Sequence, residues 1–199
     1  MRSGSWIAIR PGQILRMAVS TTNPQSVRMA PAARFGLADQ ITAFIEVLLL
    51  AVWLGSMMFF SFAVAPSAFA VLPTRELAGA MVTSSIAKVE TLGLIIGPIL
   101  ILLQAIGWSA RRAGAMTKTI RLALIGVMTL AAALSHFWIS PTMVSLRNSM
   151  SGGIDSLALT DPLRLQFNDL HQYSVAAMSV ALFAGLAVLF LTVRSWLKR

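Results

Sequence analysis

Val47–Thr74 reads VLLLAVWLGSMMFFSFAVAPSAFAVLPT, 28 consecutive residues without a charge. A helix needs about 20 apolar residues to cross the hydrocarbon core of a bilayer. Three further charge-free stretches follow: Thr91–Ala110, Leu122–Leu146 and Leu170–Val193, of 20, 25 and 24 residues. The four together hold 97 of the 199 residues. A soluble bundle would show a polar outer face at the helical period, and none of the four does. The sequence predicts an all-α membrane protein, a four-transmembrane-helix bundle with helices over about 41–66, 91–110, 122–141 and 171–193.

The first stretch is too long for a simple crossing. At 1.5 Å per residue it reaches roughly 42 Å, against a core of about 30 Å. Pro66 is expected to kink or end the helix, leaving Ser67–Leu72 in the interface before Pro73.

Whole-chain composition agrees. Hydrophobic residues make up 57% and charged residues 12%, where a soluble domain carries about 25% charged. Cysteine is absent, which removes disulfides, thiolate metal sites and cysteine nucleophiles. The net charge of +9 would ordinarily suggest nucleic acid, but its placement reads as topology instead. Twelve Lys and Arg fall in residues 1–40, in the loop after helix two and in the tail; only Arg75, Lys88, Arg147 and Arg164 lie on the other side. Positive loops stay in the cytoplasm. Both termini are therefore expected to be cytoplasmic, in the cell (inner) membrane, with the lipid bilayer as partner, no nucleic acid and a homo-oligomer as a candidate assembly. Glu76, Glu90, Asp155, Asp161 and Asp169 are assigned to the outer loops, where Ser151-Gly152-Gly153 and Asp161-Pro162 signal turns. A short interfacial helix is expected over Pro162–Asp169.

Residues 1–40 differ in kind, with Pro11, Pro24, Pro31, five arginines and no acid before Asp39. They are read as a basic arm before a transmembrane domain over 41–199. A disordered arm, a transit-like segment and a start assigned too early, with Met17 or Met29 as the true one, all fit.

Small residues mark where membrane helices pack. Gly93 and Gly97 on helix two, and Ala177, Ala181 and Gly185 on helix four, recur at fours, with Gln104 on the Gly97 face. Thr129, Ala133, His136 and Ser140 share a stripe on helix three. Pro66 belongs to an aromatic stripe with Phe59, Phe62 and Phe69. Packing explains all of these.

Ionisable groups inside a membrane are expensive and point to function. His136 lies near the outer end of helix three and His171 opens helix four at the same face. Glu90 and Ser174 complete a candidate outer polar cluster. It reads as interfacial hydrogen bonding, as a metal or proton site, or as paired axial imidazoles for a haem. Glu46 is the inner counterpart, able to pair with Arg111, Arg112 or Arg121 or to relay a proton. No motif implies a cofactor, and haem or a metal ion remains the alternative. No hydrolase, zincin or phosphate-loop signature appears, so the chain is read as non-enzymatic. Handling or sensing of a small solute or metal at the outer face, haem-based electron transfer, and a structural or assembly role are the competing functions.

The segments from Trp53-Leu54-Gly55-Ser56 through Phe59–Gly79 (FFSFAVAPSAFAVLPTRELAG), then ISPTMVSLR after helix three, then Asp161–Ser174 (DPLRLQFNDLHQYS) resemble the domain-of-unknown-function 4149 family, the group similar to transmembrane protein 205. The likeness covers about Ile41 to Val193. It implies four membrane helices and no established reaction. Resistance to platinum drugs among eukaryotic relatives implies export or metal handling. The asparagine the family often carries a turn after its LHxxS motif is absent, with Met178 and Ser179 in that region.

The Lys and Arg distribution makes one direct prediction. Cysteines placed at Ser151 and Ser195 should label from opposite sides of the membrane in intact cells. Equal labelling of both from outside contradicts the assigned topology.

Overall fold

A computed structural model describes residues 36–106, 114–150 and 152–197. Most of the basic arm, together with Arg111 and Arg112, lies outside these residues. Among the described residues, four long helices run antiparallel: α1 (Leu37–Val71), α2 (Arg75–Ile106), α3 (Ala115–Ser149) and α4 (Pro162–Leu197). All four are long and apolar enough to cross a membrane. Large apolar side chains, among them Phe62, Phe137, Trp138, Phe183 and Phe190, cover the outside. In water such a surface would aggregate; in lipid it is the solvated one. The chain is a multi-pass membrane protein.

All four helices begin before the charge-free stretches, α1 at Leu37 and α3 at Ala115 as well as α2 and α4. Helix two starts at Arg75 rather than 91, because Thr74 Oγ1 accepts the Leu77 N–H at 3.2 Å and caps the first turn. Helix four starts at Pro162 rather than 171, where Asp161 Oδ1 accepts the Leu163 N–H at 2.8 Å and proline occupies the first turn. The expected interfacial helix over Pro162–Asp169 is thus the first part of α4. Absence of charge marks how far lipid reaches, whereas the caps mark where the helix begins.

Pro66 does not end α1. The five residues before Ala65 form a π-helical turn, Phe60–Val64, closed by the Ala65 N–H donating to the Phe60 carbonyl. Pro66 then falls in the first turn of a renewed α segment, where a missing N–H costs little. Helix α3 repeats the device. A π turn over Ser135–Ile139, closed from Ser140 N–H to Ser135 O, precedes Pro141. Between α3 and α4 the chain turns at Gly152 and Gly153, with φ of +91° and +77°, values that L side chains rarely adopt.

Each helix turns one face inward. On α1 this face is Glu46, Leu50, Trp53, Leu54, Met57 and Phe60; on α3 it is Arg121, Ile125, Met128, Ala131, Ala132, Ser135 and Ile139. Helix α1 packs on α2 and α4, and α3 packs on the same two. Glycines set the approach. A Cβ at Gly93 would lie 2.7 Å from the Trp53 indole, one at Gly185 would lie 2.5 Å from Leu54, and one at Gly97 would overlap the Thr129 side chain. Among the small residues expected at seams, Ala181 is buried and Ala177 half-buried.

Gly97 supplies a test. Gly97→Ala should lower stability in detergent by about 1–3 kcal/mol through overpacking, measured by thermal melting. Adding Thr129→Ala should recover most of the loss. An unchanged melt for Gly97→Ala would show that α2 and α3 do not approach this closely.

Candidate functional site

Among the described residues, seven polar or charged side chains are buried: Glu46, Glu90, Gln104, Arg121, Ser135, Ser174 and Thr192. Most gather in two layers. From Glu90 to Gln104 on α2, and from Ser135 to Arg121 on α3, is 14 residues, so the layers are about 21 Å apart at 1.5 Å per residue.

The layer nearer the chain termini is closed by charge. Glu46 of α1 pairs with Arg121 of α3 across the bundle, and both are at most 2% exposed. Gln104 of α2 donates to the same carboxylate oxygen at 2.5 Å. Of the three arginines the sequence offered to Glu46, Arg121 meets it; Arg111 and Arg112 lie outside the described residues. Three helices are tied at one point, and the carboxylate has a protein cation.

The other layer is built on Glu90, midway along α2. The sequence placed Glu90 in an outer loop; the early start of α2 puts it inside the bundle, 5% exposed. Ser135 Oγ donates to its Oε1 at 2.5 Å, and Ser140 Oγ lies 2.9 and 3.1 Å from the two oxygens. His136 Nδ1 stands 3.6 Å from Oε2, buried and without a hydrogen-bond partner. The π turn explains the grouping. In a regular α-helix, residues five apart point about 140° away from each other. A π turn closes from i to i+5 and brings Ser135 and Ser140 to one carboxylate. The sequence stripe found His136 and Ser140 but missed Ser135, which lies off it at α-helical spacing. The usable signal was a polar SHxxxS run immediately before Pro141.

Glu90 borders two spaces. One is a partly open cavity of about 30 Å³, lined by residues from all four helices including Trp53, Met57, Ala132 and Met178. That holds one or two waters. The other is an open cleft of about 580 Å³ between α2 and α3, lined by Thr83, Ala87, Glu90, His136, Ser140 and Asn148 among others. Its size is that of a small-molecule site.

His171 and Ser174 do not join this group. With α4 beginning at Pro162, His171 is nine residues inside the helix rather than at its N-terminus. It is exposed and makes no hydrogen bond or ion pair among the described residues. Ser174 is buried, but Glu90 bonds to Ser135 and Ser140 instead. No group of three or more His, Asp or Glu close enough for a metal ion occurs among the described residues.

Arg147, which the sequence reading used for topology and as the last residue of the ISPTMVSLR segment, holds the end of the bundle beyond Glu90. Its Nη1 donates to Thr83 Oγ1 at 3.0 Å, and its guanidinium stacks 5.6 Å from the Phe167 ring centroid. A Cβ at Gly79 would lie 3.0 Å from its Nη2. Gly79, Arg147 and Phe167 come from the three separate sequence segments noted above. Their meeting gives those segments one structural reason.

The Glu46–Arg121 pair is testable on its own. Arg121→Met should cost about 3 kcal/mol or more in thermal stability by stranding a buried carboxylate. Glu46→Gln with Arg121→Met should recover most of it. Equal melting of the single and double variants contradicts a charge pair at this place.

No curated protein matches the chain, and no solved structure does. The sequence pattern of one family, described as a domain of unknown function (DUF4149), matches residues 48–152. That range runs from α1 through the Glu90 layer to the end of α3, and stops short of the Asp161–Ser174 segment. With more than half of its length matched, the chain belongs to the DUF4149 family.

Proposed function

We propose that the protein binds a small positively charged solute in the cleft between α2 and α3, with Glu90 as the counter-charge. One observation carries the reading. Among the described residues the bundle buries two carboxylates, and Glu46 is the one with an arginine. Glu90 has hydroxyl donors and an imidazole, but no Lys or Arg pairs with it among the described residues. A buried charge needs a partner, and the cleft leads to this one from outside. His136 Nδ1 stands 3.6 Å from the other oxygen, Oε2, a second group for a proton or a ligand atom. The cleft is far larger than a bare ion, which favours an organic cation over a metal.

The Lys and Arg distribution supports placing this cleft in the outer half of the inner membrane, with both termini in the cytoplasm. Both serine hydroxyls donate to the carboxylate rather than to His136, so neither is set up as a nucleophile, and the reading is binding, with transport or sensing built on it. Haem ligation by His136 and His171 gains no support from an exposed His171.

Calorimetric titration of the purified full chain in detergent tests the reading, with tetraethylammonium, methylammonium and Zn²⁺ as separate probes. An ammonium probe should bind the native protein, and Glu90→Gln should weaken it at least tenfold, about 1.4 kcal/mol. Binding of Zn²⁺ alone would reassign the cleft to a metal. Equal binding by native protein and Glu90→Gln overturns the proposal.

A further inference from the structure

Two hairpins, α1–α2 and α3–α4, start from the same end of the bundle and share detail that a generic four-helix bundle does not require. The π turns Phe60–Val64 and Ser135–Ile139 have the same length and each ends two residues before a proline, Pro66 or Pro141. A shift of 75 positions superposes them, and the same shift superposes Glu46 on Arg121. Leu50 and Ile125, Trp53 and Met128, Met57 and Ala132, and Phe60 and Ser135 are then buried pairs, while Val52 and Val127, and Phe62 and Phe137, are exposed pairs. Over this range no position buried in one helix is exposed in the other.

Helices α2 and α4 correspond at a shift of 88, the difference being the longer α3–α4 connection. From Gly93 to Gln104 the burial pattern repeats from Ala181 to Thr192 at every position except Ile99 and Ala187. Gly97 falls on Gly185. Gly97 is packed on Thr129, and Gly185 on Leu54; Leu54 and Thr129 are themselves equivalent at the shift of 75. A glycine packed directly on a side chain of the other hairpin therefore occurs twice, with the roles exchanged. Few residues are identical between the copies, so the sequence alone does not display the repeat.

We propose that the four helices are two copies of one hairpin related by an approximate two-fold axis along the bundle, and that only one of the two equivalent seams between them carries the polar site. Equivalent helices are parallel, which requires an axis along the bundle rather than across it. Glu46 and Arg121 face each other over that axis. So do Glu90 and Met178, Val89 and Ala177, and Met57 and Ala132, all of which line the central cavity. At the α2/α3 seam Glu90 meets Ser135 and Ser140. At the α4/α1 seam the corresponding residues are Met178, Phe60 and Ala65, and Met178 Sδ lies 4.0 Å from Ser61 Oγ. The second seam is an apolar copy of the first. The polar one lies where parallel-repeat transporters hold substrate, at the interface between repeats. The assignment of ligand to that seam rests on the cation reading above; the repeat does not.

Exchange across the axis tests the repeat without any ligand. In Glu46→Arg with Arg121→Glu, the carboxylate moves to a site whose own hairpin offers Thr192 instead of Gln104. Adding Gln104→Thr and Thr192→Gln exchanges the whole layer. The fourfold variant should melt well above the double exchange and within about 5 °C of the native protein. A fourfold variant that melts no higher than the double exchange, or does not fold, overturns the equivalence. Seam assignment is read separately with methylammonium and tetraethylammonium. Met178→Leu should leave probe binding within twofold of native, and a tenfold loss there would overturn the one-seam claim. A native protein that binds neither ammonium probe removes the cation reading, and the one-seam assignment with it, and leaves the exchange result standing.

Discussion

The fold depends on what lipid demands of a buried charge. Burying either Glu46 or Arg121 without the other would strand a charge, because desolvation of one ion costs several kcal/mol. Placed opposite each other on the diagonal helices, they satisfy each other and draw Gln104 from α2 into the same contact. Apolar packing cannot play this part in a membrane, where a lipid tail competes equally well for every leucine. The charge pair gives the bundle a register. Small residues at Gly93, Gly97 and Gly185 let the backbones close to it.

That closed layer makes the other one informative. Glu90 is as buried as the paired groups, yet hydroxyls and an imidazole replace the arginine. A bundle stabilised only by packing would have no use for a carboxylate there. The π turn before Pro141 converts two serines five apart into a pair of donors on one side of α3. Its counterpart before Pro66 presents Phe60 and Ala65 in the same geometry. One local device, present twice, thus yields a polar pocket at one seam and a greasy one at the other.

Much of this was legible in the sequence. Charge-free length gave four spans, the spacing of glycine and alanine marked seams, and Glu46 pointed to an inner arginine. Helix starts were not legible from hydropathy, since Thr74 and Asp161 cap turns that lie among charges. That error moved Glu90 into a loop and His171 to a helix end. Ser135 was missed because α-helical spacing does not hold across a π turn. Arg147 was missed because its partners, Gly79, Thr83 and Phe167, are distant in sequence and none is unusual alone.

The central claim is that one buried carboxylate is sealed by its own cation while the other stands open to a cleft. Carbodiimide modification of the native protein in membranes, read by peptide mass spectrometry, measures this directly. The account predicts label on Glu90, reduced by an ammonium ligand, and none on Glu46. Label on Glu46 with Glu90 untouched would contradict it.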